Sequence, residues 1–161
     1  MGDWSNFFLG QLTAASALAG LLFVAVSVNQ ARILSLGRMA DRGLEALTML
    51  FLIILVASFT LVPGQPLPLL GGEILAAATA TFVGMVLLQR GYLAAVEPAH
   101  RRHSTRAARM NLAAVGLIAT GGFALLATAN PTALYLLPVG ILLSFLGVGM
   151  NSWVLLVEIN R

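Results

Sequence analysis

The chain contains no cysteine and no lysine. Without cysteine it has no structural disulfide, no thiolate metal site and no dithiol redox chemistry, which excludes a quinone-linked disulfide carrier. Without lysine it forms no retinal Schiff base and has no lysine nucleophile. Charge of either sign is scarce: 9% of the 161 residues are charged, against about a quarter in a soluble domain. The formal balance of +3 comes from arginine alone. Those arginines fall between apolar blocks, which points to membrane orientation and not to nucleic acid.

What the chain has in abundance is apolar surface, with 59% of its residues hydrophobic. These residues come in blocks, and a block of about 20 is the length that crosses a bilayer. No water-soluble fold of this length hides so much apolar area. The sequence therefore predicts an all-α fold, a polytopic transmembrane bundle forming a single domain over 1–161, with five spans near 6–34, 44–62, 72–96, 107–128 and 132–159. Small residues at Ala14-Ala15-Ser16-Ala17 offer a cleavage site for a signal peptide. The preceding segment carries Asp3 and no positive charge, however, and the apolar run continues to Val28, so the first span reads as retained.

Between the spans, Arg38, Asp41, Arg42 and Glu45 form a short charged turn. Pro63-Gly64-Gln65-Pro66-Leu67-Pro68 reads as an outer loop, because proline removes a backbone donor and collides with the preceding turn. His100 to Arg106 reads as a solvated inner loop. Pro138 predicts a bend near the start of the fifth span. All arginines lie in alternate connections: Arg32, Arg38 and Arg42, then Arg90 through Arg109, then Arg161. Since arginine-rich loops stay in the cytoplasm, the N-terminus is expected outside and the C-terminus inside. Trp4, Phe7, Phe8 and Tyr135 then fall at the outer boundary, and Tyr92 and Trp153 toward the inner one.

Small residues recur at four-residue spacing in several spans and predict close helix packing. The ridges are Ala76, Ala80 and Gly84 in span three, Gly116, Thr120, Ala124 and Thr128 in span four, and Gly140 and Ser144 in span five. Span two lacks one, and its bulky surface predicts that it faces lipid. Span one carries the longest stripe: Asn6, Gly10, Thr13, Ser16 or Ala17, Gly20, Ser27 and Gln30. The plainer reading is a seam between helices. The sharper one is a polar path, lined by several copies of span one around a symmetry axis, with Thr13, Ser16 and Ser27 facing it.

In span five, Ser144, Gly147, Asn151 and Glu158 share a line, and an amide at the depth of Asn151 needs a partner. Glu73, beside an outer glycine pair, suits a helix start, and in an oligomer it would form an outer acidic ring. Arg101, Arg102 and Arg106 are expected to meet anionic lipid headgroups. His100 and His103 have metal-ligand spacing, but Arg101 and Arg102 beside them repel cations, so no metal site is expected. No ionisable residue falls at the centre of a span, and no serine–histidine pair, intramembrane carboxylate pair or phosphate loop is present. Neither an enzyme nor a cofactor is expected.

The run Leu18-Ala19-Gly20-Leu21-Leu22-Phe23-Val24-Ala25-Val26-Ser27-Val28-Asn29, followed by Arg32-Ile33-Leu34, resembles the first span of a family of small bacterial multi-span membrane proteins. The likeness extends to Arg42-Gly43-Leu44-Glu45-Ala46-Leu47 and to Pro63-Gly64-Gln65, covering roughly the first 65 residues. Some members are labelled modulators of the membrane protease FtsH. The resemblance implies a location in the bacterial inner membrane and brings no catalytic or ligand residues. The reading that follows is a non-enzymatic, self-associating membrane protein, channel-like if span one lines a path. The alternatives are an accessory subunit of a larger membrane complex, such as a membrane protease, and a binder of lipid or a small hydrophobic ligand.

Overall fold

A computed structural model describes residues 2–30, 33, 39–95 and 98–157. Among the described residues five α-helices carry the fold: α1 (Gly2–Val28), α2 (Met39–Thr60), α3 (Leu67–Ala95), α4 (Pro98–Thr128) and α5 (Leu136–Val157). A short 3₁₀ turn, Pro131–Tyr135, leads into α5. Five helical stretches of at least 21 residues, one in each of α1 to α4 and one running from the 3₁₀ turn into α5, are long and apolar enough to cross a membrane, so the protein is a polytopic helix bundle with five spans. At 1.5 Å per residue, α1 is roughly 40 Å long, more than the roughly 30 Å of a hydrocarbon core.

The helix ends differ from the sequence expectation for stated reasons. Helix α3 begins before Pro68, and α4 begins at Pro98. Proline is tolerated in a first helical turn, where its missing N–H has no intrahelical acceptor to lose. The segment His100 to Arg106 is therefore helical, an extension of α4 and not a loop. Pro138 likewise sits in the first turn of α5, and the change from 3₁₀ to α geometry falls at Leu136, two residues before it. Between α2 and α3, Gly64 takes φ +71, the left-handed value that a Pro-Gly turn asks of its second residue.

Helix α2 is the centre of the bundle, which overturns the expectation that its bulk faces lipid. Half of its span is buried, against 11% for α1, and Ala46, Met49, Leu50, Leu52, Ile53, Val56 and Ala57 are all inaccessible. It touches α1, α3 and α5. Large side chains fill a space that small ones would leave empty, so the helix without a small-residue ridge is the one most surrounded.

The expected ridges of α3 and α4 also point elsewhere. Ala76, Ala80, Gly84, Thr120 and Thr128 are exposed, and a Cβ at Gly84 or Gly116 would meet nothing within 4 Å. The close crossing of α3 and α4 lies at Gly71 and Gly122 instead. A Cβ on Gly71 would strike the Leu126 backbone nitrogen and come within 2.7 Å of the Gly122 carbonyl oxygen. The ridge of α5 is confirmed: Gly140 and Ser144 are buried, and a Cβ on Gly140 would lie 3.0 Å from the Ala114 carbonyl oxygen.

Helix α1 is peripheral. It buries Phe8, Ala15, Ala19 and Leu22 against α2, residues that share one face at helical spacing. At its N-terminal end Trp4 meets Tyr135 edge-on at 4.8 Å between ring centroids, with Phe7 edge-on and Phe8 tilted beside it. The aromatic residues assigned to one boundary by sequence thus gather at one end of the bundle.

Candidate functional site

At the arginine-bearing end, the first two turns of α2 send Glu45 into the junction of α2, α3 and α4. Glu45 lies one turn before Met49 and two before Leu52, so the face that buries those residues buries its carboxylate too. It is 1% exposed. Its Oε1 accepts two amide hydrogen bonds, one from Gln89 Nε2 on α3 and one from Asn111 Nδ2 on α4, each 2.8 Å. Gln89 Nε2 also donates to the Ala108 carbonyl oxygen at 3.2 Å. Nearer the helix start, Arg42 Nη2 donates to the buried Ser104 Oγ at 2.8 Å and ties the beginnings of α2 and α4 together.

The fourth core helix, α5, reaches this cluster through Gly147 and Asn151. The Asn111 Oδ1 atom rests in the place that a side chain at Gly147 would take, and Met49 Cε closes the same spot at 3.4 Å. One turn further along α5, Asn151 is 4% exposed. The α4 and α5 chains run antiparallel here, since Gly140 faces Ile118 and Gly147 faces Asn111. Buried carboxylates and amides in a lipid setting persist only where their hydrogen bonds are met, because leaving one unmet costs about 1–3 kcal/mol or more. A carboxylate fed by two amides from two other helices therefore acts as a clasp for α2, α3 and α4.

The residues singled out from sequence are divided between two places. Asn151 is inside the four-helix core, as its depth suggested. Thr13, Ser16, Gly20, Ser27 and Gln30 are exposed on α1, away from that core. The Thr13 hydroxyl donates to the Leu9 carbonyl one turn earlier at 2.9 Å. Ser27 and Gln30 border a cleft of about 380 Å³ between α1 and the start of α2, with Phe23, Val26, Ile33 and Ala40 as its apolar walls. The span-one stripe is thus no seam within the chain, whose α1–α2 contact runs through Phe8, Ala15, Ala19 and Leu22.

Glu73 lies in the second turn of α3, where its Oε2 accepts from Gln65 Nε2 at 2.5 Å and pins the turn between α2 and α3. Arg106 is exposed on α4, and the side chains of Arg101 and Arg102 lie outside those described, as do Glu158, Arg161 and the other arginines of the first connection. Among the described residues no group of three potential metal ligands comes together.

Glu45, Gln89 and Asn111 were not singled out by sequence, although the signal existed. Each falls on the apolar face of its own helix: Glu45 with Met49, Gln89 with Met85 and Ala78, Asn111 with Val115 and Ile118. A polar residue in register with the buried stripe is the mark of an interior hydrogen bond. No protein-family model, curated protein or solved structure matches the chain.

Proposed function

We propose that this is a bacterial inner-membrane protein with its arginine-bearing end in the cytoplasm, built as a four-helix core, α2 to α5, that carries α1 as an outward contact helix. Copies of the chain associate through the face of α1 opposite α2. The observation that supports this reading is the composition of that face. It holds Asn6, Gly10, Thr13, Ala17 and Gly20, and a Cβ at either glycine would have no neighbour within 4 Å. Glycine inside a helix is less favourable than alanine by about 1 kcal/mol, and no described residue uses the space these glycines leave. Small residues at this spacing admit a second helix to close range, where van der Waals contact and weak Cα–H···O bonds hold the pair.

A channel-like assembly is the stronger form of the proposal. Helices α1 gathered around an axis would present Thr13, Ser16 and Ser27 to it, while Glu73 would contribute to an outer ring. An accessory role, with α1 against a different membrane protein, uses the same face.

The test is the oligomeric state of the purified chain in lipid nanodiscs, counted by stepwise photobleaching, for the natural protein and for Gly10→Leu with Gly20→Leu. Oligomers that fall to monomers in the variant, with the thermal midpoint unchanged, support self-association. A natural protein that is monomeric, and that crosslinks in its native membrane only to chains of another size, supports the accessory role instead. For the channel-like form, purified protein in liposomes should pass ions, and Ser27→Trp should reduce the flux. Liposomes without flux remove that form.

A further inference from the structure

Two buried polar atoms at the α4–α5 contact have complementary needs. Asn151 Nδ2 is shielded from solvent and has no hydrogen-bond partner among the described residues, and the same holds for Asn111 Oδ1. The first is a donor without an acceptor, the second an acceptor without a donor. They lie close in the fold. Asn111 Oδ1 rests on Gly147, and Asn151 is one turn beyond Gly147 on the same face of α5. The Cα–Cβ bond of a helical residue leans toward the helix N-terminus, so the Asn151 carboxamide leans back toward Gly147 and the Asn111 oxygen upon it.

We propose that one buried water molecule joins these residues, accepting from Asn151 Nδ2 and donating to Asn111 Oδ1. The pairing of a donor with an acceptor selects the class of ligand. A bare cation is repelled by the Asn151 N–H groups. An anion is repelled by Asn111 Oδ1 and by the Glu45 carboxylate that Asn111 already touches at 2.8 Å. A neutral molecule that both donates and accepts suits both atoms, and water is the smallest of these. Buried waters serve otherwise unmatched polar groups of this kind, making about three hydrogen bonds each.

The consequence reaches beyond the pair. Asn111 donates to Glu45 on α2 with its nitrogen and accepts from the water with its oxygen. The clasp around Glu45 thereby extends to α5, and all four core helices share one hydrogen-bonded network. The junction of α4 with α5 becomes a wet contact, in which a mobile molecule carries the bond that a direct amide pair would otherwise make.

The test uses the natural full-length chain, labelled with ¹⁵N and held in detergent micelles or nanodiscs. The chain has six asparagines, which keeps the side-chain amide spectrum sparse. A water-selective nuclear Overhauser experiment should give a cross-peak at the Asn151 side-chain amide with the sign of a long-lived water, and none of that sign at exposed Asn130. Absence of the cross-peak at Asn151 overturns the proposal, whether a through-bond coupling then shows Asn151 bonded directly to Asn111 or the space proves dry.

Discussion

The carboxamide oxygen of Asn111 on α4 occupies the position that a side chain at Gly147 on α5 would take. The amide nitrogen of the same asparagine meets Glu45 on α2. One residue thus holds a helix contact with one atom and a hydrogen bond to a buried carboxylate with the other. Gly147→Ala should push Asn111 off Gly147 and strain its bond to Glu45. The expected cost is about 1–3 kcal/mol, the range of an overpacked interior. Gly149→Ala, where a Cβ meets nothing within 4 Å, is the matched control and should be no less stable than the natural chain. Thermal or steric-trap unfolding of both variants checks the difference.

Removing the centre of the clasp leaves two amide donors buried. Glu45→Ala should destabilise the chain by about 1–3 kcal/mol, since both the Gln89 and Asn111 N–H groups lose their acceptor. Glu45→Gln keeps an acceptor oxygen in place and should cost less than Glu45→Ala. Equal losses from the two substitutions would mean that neither the acceptor oxygen nor the bulk of the side chain contributes, and would contradict the clasp.

The crossing of α3 over α4 is the closest backbone approach identified in the bundle, and it depends on two glycines. Gly71→Ala places a methyl group against the Leu126 nitrogen and the Gly122 oxygen, which are backbone atoms and do not yield. Gly84→Ala on the same helix enters open space. Unfolding measurements should show a loss of more than about 1 kcal/mol for the first and no loss for the second.

Helix α4 ends on Ala129, whose φ of +50 lies in the left-handed region that penalises a Cβ. The backbone N–H of Ala129 still closes the helix by donating to the Leu125 carbonyl at 3.0 Å, the bond of a left-handed helix cap. Asn130, extended as a residue before proline must be, then caps the 3₁₀ turn by accepting from the Thr132 N–H. Ala129→Gly should relieve the strain and raise stability by about 0.5–1 kcal/mol, read as an upward shift of the unfolding midpoint.

Much of this architecture could be read before any coordinates, because lipid imposes so few choices. Five apolar blocks of spanning length and arginine confined to alternate connections left little besides an up-and-down bundle. The line Gly140, Ser144, Gly147 and Asn151 was legible for the same reason, as small and polar residues in step along an otherwise greasy helix. What misled was size. Small residues mark where a helix admits a close neighbour, but not whether that neighbour belongs to the same chain. On α3 and α4 the recurrent ridges at Gly84 and Gly116 face outward, while Gly71 and Gly122, each one of an adjacent glycine pair, make the crossing. Bulk misled in the opposite sense, since the large residues of α2 fill the middle of the bundle. Glu45 escaped notice because it stands beside Asp41 and Arg42 and so reads as part of a surface turn. Only its phase with Met49 and Leu52 separates it from them.

The cysteine-free chain allows the central proposal to be tested in the membrane where it resides. Single cysteines at Ala17 on the outward face of α1 and at Ala15 on its α2-facing side would each be exposed to a short homobifunctional thiol crosslinker. The account predicts a dimer band of twice the chain mass from Ala17→Cys and none from Ala15→Cys. No dimer from Ala17→Cys, or equal dimer from the two positions, would contradict it.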